Sequence, residues 1–116
     1  MKSICLILIF LWGIPVLGQA DFLAKQYLND GEYEKALVFF EGLVKDNPTR
    51  PDYLEGLLAC YQQLERYQEA EALLLDKIDS RNTSPTIFIE LGYNYRLQDF
   101  PDKANESYEK ALNFIE

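Results

Sequence analysis

The sequence predicts an all-α protein built from three similar pairs of helices. The first observation is a period of 34 residues, at which three residue types recur in one register. A unit of this size cannot bury a core of its own, so neighbouring units must stack. The second observation is an apolar spacing of three and four residues within each unit, which is typical of amphipathic helices. The recurring residues are Leu23, Leu57 and Leu91, then Tyr27, Tyr61 and Tyr95, then Ala36, Ala70 and Ala104.

The recurring alanine indicates a close helix crossing in every unit. Each alanine follows its tyrosine by nine residues, on the far side of a short turn. The distance between two packed helices depends on the side chains at their contact, and a small residue allows the closest approach. An alanine that faces an aromatic ring therefore indicates where the first helix of a unit, helix A, meets the second, helix B.

This register resembles the tetratricopeptide repeat. The family pattern has leucine at position 7, a small residue at 8, tyrosine at 11, alanine at 20 and an aromatic residue at 24. The third copy keeps Gly92 at the small position, whereas the second copy has Leu58 there. The resemblance implies an α-solenoid of three antiparallel helix pairs stacked in a right-handed superhelix. A generic helical bundle is the alternative, and HEAT-type repeats of roughly 40–47 residues fit the period less well. The three copies cover about 17–50, 51–84 and 85–116.

Turn signals divide each unit into its two helices. Gly31 ends the first A helix, because glycine accepts a left-handed backbone conformation. Pro51, Pro85 and Pro101 suit the first turn of a helix, where a missing amide hydrogen costs no bond. The polar stretch 80–84 indicates a loop between units. The predicted helices cover about 21–29, 33–45, 51–64, 67–79, 85–97 and 101–114.

The first twenty residues have the composition of a secretory signal peptide. A charged start precedes a short apolar run, and small residues flank a cut site after Ala20, with a cut after Gly18 as the alternative. The run is shorter than the roughly 20 residues of a membrane-spanning helix, so we expect no lasting membrane anchor. The predicted division is a signal peptide over 1–20 and a repeat domain over 21–116. We expect the mature protein to be secreted or periplasmic, in a bacterial envelope.

Charge and cysteine content narrow the classes of function. Removal of the signal peptide leaves 10 basic and 19 acidic residues, a net charge of −9. Acidic surfaces repel phosphate groups, so we expect no nucleic-acid partner. Cys60 is the cysteine that remains, and its repeat position indicates a small buried residue, with a reactive thiol as the alternative. The sequence has no histidine, so we expect no enzyme activity, no cofactor and no bound metal.

The resemblance implies that the partner is another protein or a peptide segment. In this family the A helices line a concave groove that binds peptides or partner helices, and some members clamp a carboxylate with basic residues that this chain lacks. We expect a basic or partly apolar segment, gripped by Glu55 and Asp52 with Tyr93 as an aromatic anchor. The groove positions are Lys25, Asn29, Asp52, Glu55, Gln62, Tyr93 and Arg96.

A second interpretation is structural. Helical repeat arrays usually end in an element with a polar outer face, whereas Leu112, Phe114 and Ile115 place apolar side chains near the end of the last helix. We expect this edge to be covered by another copy, by a partner or by further chain. If further chain covers it, the protein is the amino-terminal part of a longer repeat array, and its stacking matters more than its groove.

Overall fold

The computed structural model describes residues 17–78 and 83–114. The predicted signal segment before Leu17, the loop residues 79–82 and Ile115 lie outside these ranges. The described residues form six α-helices and no strand, which confirms the predicted all-α class. No helix in the described ranges has the length and apolarity needed to cross a membrane. The helices are α1 (Leu17–Asn29), α2 (Tyr33–Asp46), α3 (Pro51–Gln63), α4 (Tyr67–Ile78), α5 (Pro85–Leu97) and α6 (Pro101–Asn113).

The start of α1 differs from the prediction. The helix begins at Leu17 rather than at Asp21, so it runs through the predicted cut site after Ala20. The predicted start rested on the cut and not on a helix-breaking residue, and residues 17–20 contain no proline to prevent a helix. The other helices begin where the sequence predicts and end within one residue of the predicted positions.

The chain divides into two compact units, Met1–Leu57 and Leu58–Glu116. In the first unit α1 packs against α2. In the second unit α5 packs against both α4 and α6. The second unit has a core cluster to which three helices contribute. Its buried members are Leu58, Ala70, Leu74 and Leu91.

The turn between helix A and helix B has the same backbone geometry in all three repeats. Gly31, Glu65 and Asp99 lie 34 residues apart and all have positive φ, at 78, 60 and 63°. Glycine takes this conformation without steric cost, whereas a residue with a Cβ pays about 1–2 kcal/mol. In each turn the next amide donates to the repeat tyrosine carbonyl, and this Schellman closure ends the A helix. These bonds are Glu32 to Tyr27 (2.9 Å), Arg66 to Tyr61 (2.7 Å) and Phe100 to Tyr95 (2.9 Å).

Two glycines allow close approach between helices. A Cβ added to Gly56 of α3 would lie less than 3.0 Å from the Phe40 ring of α2, and one added to Gly92 of α5 equally close to the Tyr108 ring of α6. Gly92 occupies the small position of the repeat pattern, whereas the pattern gives no signal for Gly56. The recurring alanines are fully buried, as a close crossing requires: Ala36, Ala70 and Ala104.

We predict opposite effects for the same substitution at two glycines of the first unit. Gly56→Ala should lower the free energy of unfolding by about 1–3 kcal/mol, because the clashing Phe40 ring is itself buried and has no free space to enter. Gly42→Ala, on the exposed face of α2 with no atom near the added carbon, should raise it by about 0.5–1 kcal/mol. Urea denaturation of both variants is the measurement. Shifts of the same sign and size would contradict the packing described above.

Candidate functional site

Two predicted groove residues, Lys25 and Asp52, lie in an ion-pair cluster of the first unit. Lys25 Nζ lies 2.8 Å from Asp21 Oδ1 and 3.1 Å from Asp52 Oδ2. Arg50 donates to both carboxylate oxygens of Asp52, at 3.0 Å from Nε and 2.8 Å from Nη2. Asp52 is thus held by two cations. A partner that uses this carboxylate has to share it with Arg50 and Lys25, so it is not the free acidic grip that the sequence suggests.

Tyr53 fixes this cluster to the fold. Its side chain is buried, and its hydroxyl donates to Asp21 Oδ2 at 3.0 Å. The Arg50 guanidinium carbon lies 4.1 Å from the centroid of the Tyr53 ring, which is within the range of a cation–π contact. The cluster therefore joins the first turns of α1 to the start of α3. Neither Tyr53 nor Arg50 was predicted from the sequence, although both are close in the chain to the predicted groove residue Asp52.

The cluster shifts the pKa values of its members. The hydrogen bond from Arg50 is the main cause that lowers the pKa of Asp52 to about 2; desolvation opposes it, and the weaker effect of the Lys25 bond adds to the lowering. The Lys25 hydrogen bond lowers the pKa of Asp21. Burial, followed by the bond to Asp21, raises the pKa of Tyr53. Both carboxylates therefore stay ionised at any pH near neutrality.

Glu55 and Asn29 are the predicted groove residues of the first unit that remain available. Both side chains are exposed. Within residues 17–78 and 83–114 neither makes a hydrogen bond or an ion pair. Glu55 is thus a carboxylate that a basic partner could reach without displacing another cation.

Gln62 takes part in a polar contact inside the second unit. Its Nε2 donates to Asn94 Oδ1 at 3.4 Å, and Asn94 Nδ2 donates to the Tyr67 carbonyl at 2.9 Å. Asn94 is completely buried, so these bonds satisfy a polar group that would otherwise be costly. Asn94 is not recognisable from the sequence, because a polar residue inside an apolar helix pattern does not indicate which distant groups will bond to it.

A line of apolar side chains lies exposed along α5. Ile89, Tyr93 and Leu97 are 48%, 47% and 39% exposed. Their spacing of four residues places them on one face, over about 12 Å of helix length. Arg96 is exposed beside this line. Tyr93 and Arg96 are both predicted groove residues, and we refer to Ile89, Tyr93 and Leu97 as the α5 line.

Two titratable side chains of the second unit, Cys60 and Tyr95, have pKa values raised by burial. Cys60 is buried as the sequence predicts, and burial raises the pKa of its thiol to about 11, which disfavours the reactive thiolate. The Tyr95 hydroxyl donates to Glu71 Oε1 at 2.7 Å. Burial and then this bond raise the pKa of Tyr95 to about 12. In the part of the chain that the structure describes, no cluster of three or more histidine, cysteine or acidic side chains could hold a metal ion.

Comparison with known proteins defines the class. The family described as anaphase-promoting complex, cyclosome, subunit 3 has a model that matches residues 19–77. This range is 59 of the 116 residues and covers all but the ends of the first two helix pairs. The chain belongs to this family, which is of the tetratricopeptide repeat type. Repeats of this type are protein–protein interaction modules.

The chain is also similar to a bacterial protein, cellulose synthase operon protein C of Pseudomonas fluorescens. The two are 38% identical over 52 residues, which is 45% of this chain and 4% of that relative. The chain therefore spans a small part of the relative's length. The similarity supports the repeat class, and the activity of the much longer relative is not carried over by it.

We predict that the ion-pair cluster makes the free energy of unfolding depend on pH in the acidic range. Because the pKa of Asp52 is lowered from its ordinary value of 3.8 to about 2, its contribution is fully present above pH 3.8 and is lost as the pH falls through about 2. Asp52→Asn should lower stability at neutral pH and flatten the stability curve in this window. Glu41→Gln, at an exposed carboxylate of α2, is the control. The measurement is the free energy of unfolding of both variants, from denaturation at several pH values between 2 and 6. Parallel dependence on pH in the two variants would argue against this role of Asp52.

Proposed function

We propose that this protein is an exported adaptor that holds another protein on exposed faces of its A helices, as a scaffold in the periplasm or envelope. The observation that carries the proposal is the α5 line. An isolated surface leucine or isoleucine is ordinary, but large apolar side chains aligned on one face mark a contact surface. Tyrosine and arginine are enriched at the energetic centres of protein interfaces, and Tyr93 and Arg96 lie together here.

The electrostatics favour a basic or partly apolar partner segment. The chain carries eight more acidic than basic residues, and such an excess steers positive segments toward the surface. On the first unit Glu55 is an exposed carboxylate at a predicted groove position, and Asn29 is an exposed polar residue at another. Asp52 and Lys25 contribute through the cluster described above. On the second unit the α5 line supplies apolar contact, with Gln62 and Arg96 as polar contacts.

The location and the domain division belong to the same proposal. The composition of residues 1–20 supports export, followed by a cut after Ala20 that leaves Asp21 as the first mature residue. The mature part, 21–116, then forms one repeat domain. A cut at this point removes the first turn of α1, and the bonds that the Asp21 carboxylate accepts from Lys25 and Tyr53 would hold the shortened helix in place.

The test of the proposal is site-specific photocross-linking in the native host. With p-benzoylphenylalanine at position 93 of the full chain, we expect one dominant cross-linked protein in the envelope fraction. With the same group in place of Val38, which is 70% exposed on α2, we expect none. Adding Ile89→Asp to the position-93 variant should abolish the product, because it places a charge in the apolar contact.

The same preparation tests the location. Mass spectrometry should find a mature chain that begins at Asp21. Identical cross-linking patterns at positions 93 and 38 would reject the A-helix surface. A protein that stays uncleaved in the cytoplasm would reject export.

A second candidate function is self-association through α6. Leu112 and Phe114 are 58% and 53% exposed near the end of the described residues. The Phe114 ring lies 5.5 Å from that of Phe88, so these aromatic side chains form one apolar area in the second unit. Another copy of this chain could cover it.

We predict that, if α6 mediates self-association, the sedimentation coefficient rises with protein concentration. Leu112→Asp should abolish this rise, because it puts a charge into the apolar area. Val38→Asp, at an exposed site on α2, should leave it unchanged. A monomer across the whole concentration range would eliminate this second candidate.

A further inference from the structure

The pattern of exposure along α5 is that of a helix that packs lengthwise against another helix. The exposed residues of α5 are spaced by three, four, three and one residues. The steps from Thr86 to Arg96 alternate between three and four, a period of about 3.5, which is the spacing of a coiled-coil seam; the α5 line shares Ile89 and Tyr93 with this set and continues one step of four further, to Leu97. The opposite face of α5, with Leu91 and Asn94, is buried in the second unit. The exposed residues are Thr86, Ile89, Tyr93, Arg96 and Leu97.

We infer that the partner segment binds the α5 line as an amphipathic α-helix with a net positive charge. This inference rests on the proposed function, because it names the kind of partner that the same surface takes. It concerns only the second unit, Leu58–Glu116.

Backbone hydrogen bonding favours a helix over an extended peptide. An extended segment brings N–H and C=O groups that lose water on binding and need partners on the receiving surface. The α5 line offers two aliphatic side chains and one hydroxyl, that of Tyr93, so it cannot satisfy a row of such groups. A helix satisfies its own backbone and presents only side chains. It therefore fits the chemistry of this surface.

The dimensions set the size of the partner's contact. About 12 Å separate the Cα positions of Ile89 and Leu97 along the helix axis, which corresponds to just over two helical turns. A partner helix covers this length with apolar residues at i, i+3 or i+4, and i+7. Packing along a 3.5-residue seam corresponds to a shallow crossing angle of about 20°.

Charge determines the polar side of the partner. The second unit has eleven acidic and six basic residues, so a positively charged helix approaches it more readily than a negative one. Arg96 is the charged member of the exposed set on α5 and opposes that preference locally. Replacing Arg96 with an acid should therefore tighten binding of a basic helix.

A selection experiment tests the inference on the full-length protein. The probe is a phage library of random 18-residue peptides, selected on the protein and counter-selected on its Tyr93→Asp variant. We expect enriched peptides with apolar residues three and four apart and an excess of lysine and arginine. A synthetic copy of one such peptide should gain helical circular dichroism on mixing with the protein.

Matched variants check where the selected peptide binds. Ile89→Asp should weaken its affinity at least tenfold, and Arg96→Glu should tighten it at low salt. Val38→Asp, at an exposed site on α2, should leave it unchanged. Because all of these positions are exposed, we expect the variants to stay folded. Thermal melts verify this.

The outcomes separate the inference from the proposed function. Tyr93-dependent peptides in which apolar and polar residues strictly alternate, or which are rich in proline or gain no helicity, would overturn the inference that the partner is helical. The proposed adaptor function would still stand. Tyr93-dependent helices that are acidic would overturn the charge assignment. Failure to enrich any Tyr93-dependent peptide would overturn both the inference and the proposed binding surface.

Discussion

Close packing of helices at small buried residues is the constraint on which this structure depends. A unit of 34 residues has too little apolar surface to fold alone, so each helix must bury one face on a neighbour. The approach is possible because Ala36, Ala70 and Ala104 are fully buried and because Gly56 and Gly92 lie directly against aromatic rings. Where the small residue is lost, at Leu58, the residue at the aromatic position is the smaller Leu74, and both belong to the same core cluster.

Polar side chains inside this packing are all used. Among the described residues, no buried side-chain nitrogen or oxygen lacks a hydrogen-bond partner. Asn94 and Tyr53 both lie fully or almost fully inside, and each ties separate helices together through side-chain bonds. Because an unpaired polar group in a low-dielectric interior is costly, such bonds also select one register of helix packing. These bonds therefore also fix which helix faces stay exposed.

The same close packing of helices determines which side chains are exposed at the surface. Once α5 has buried one side on α4 and α6, the side that carries Ile89, Tyr93 and Leu97 is left to solvent. The first unit differs, because its predicted groove carboxylate Asp52 is neutralised by Arg50 and Lys25. The same repeat pattern thus gives an exposed apolar face in the second unit and a charged cluster with internal ion pairs in the first.

The sequence by itself determined the helices, their order and the repeat class, because period, proline placement and turn residues act locally along the chain. It also located Cys60 in the core and Tyr93 and Arg96 on an A helix. Only the tertiary structure decided which side chains meet in space. The close contact of Gly56 with Phe40, the Lys25 bond to Asp52, and the bonds of Tyr53 and Asn94 join residues far apart in sequence. Such contacts depend on the relative placement of helices, which no local pattern specifies.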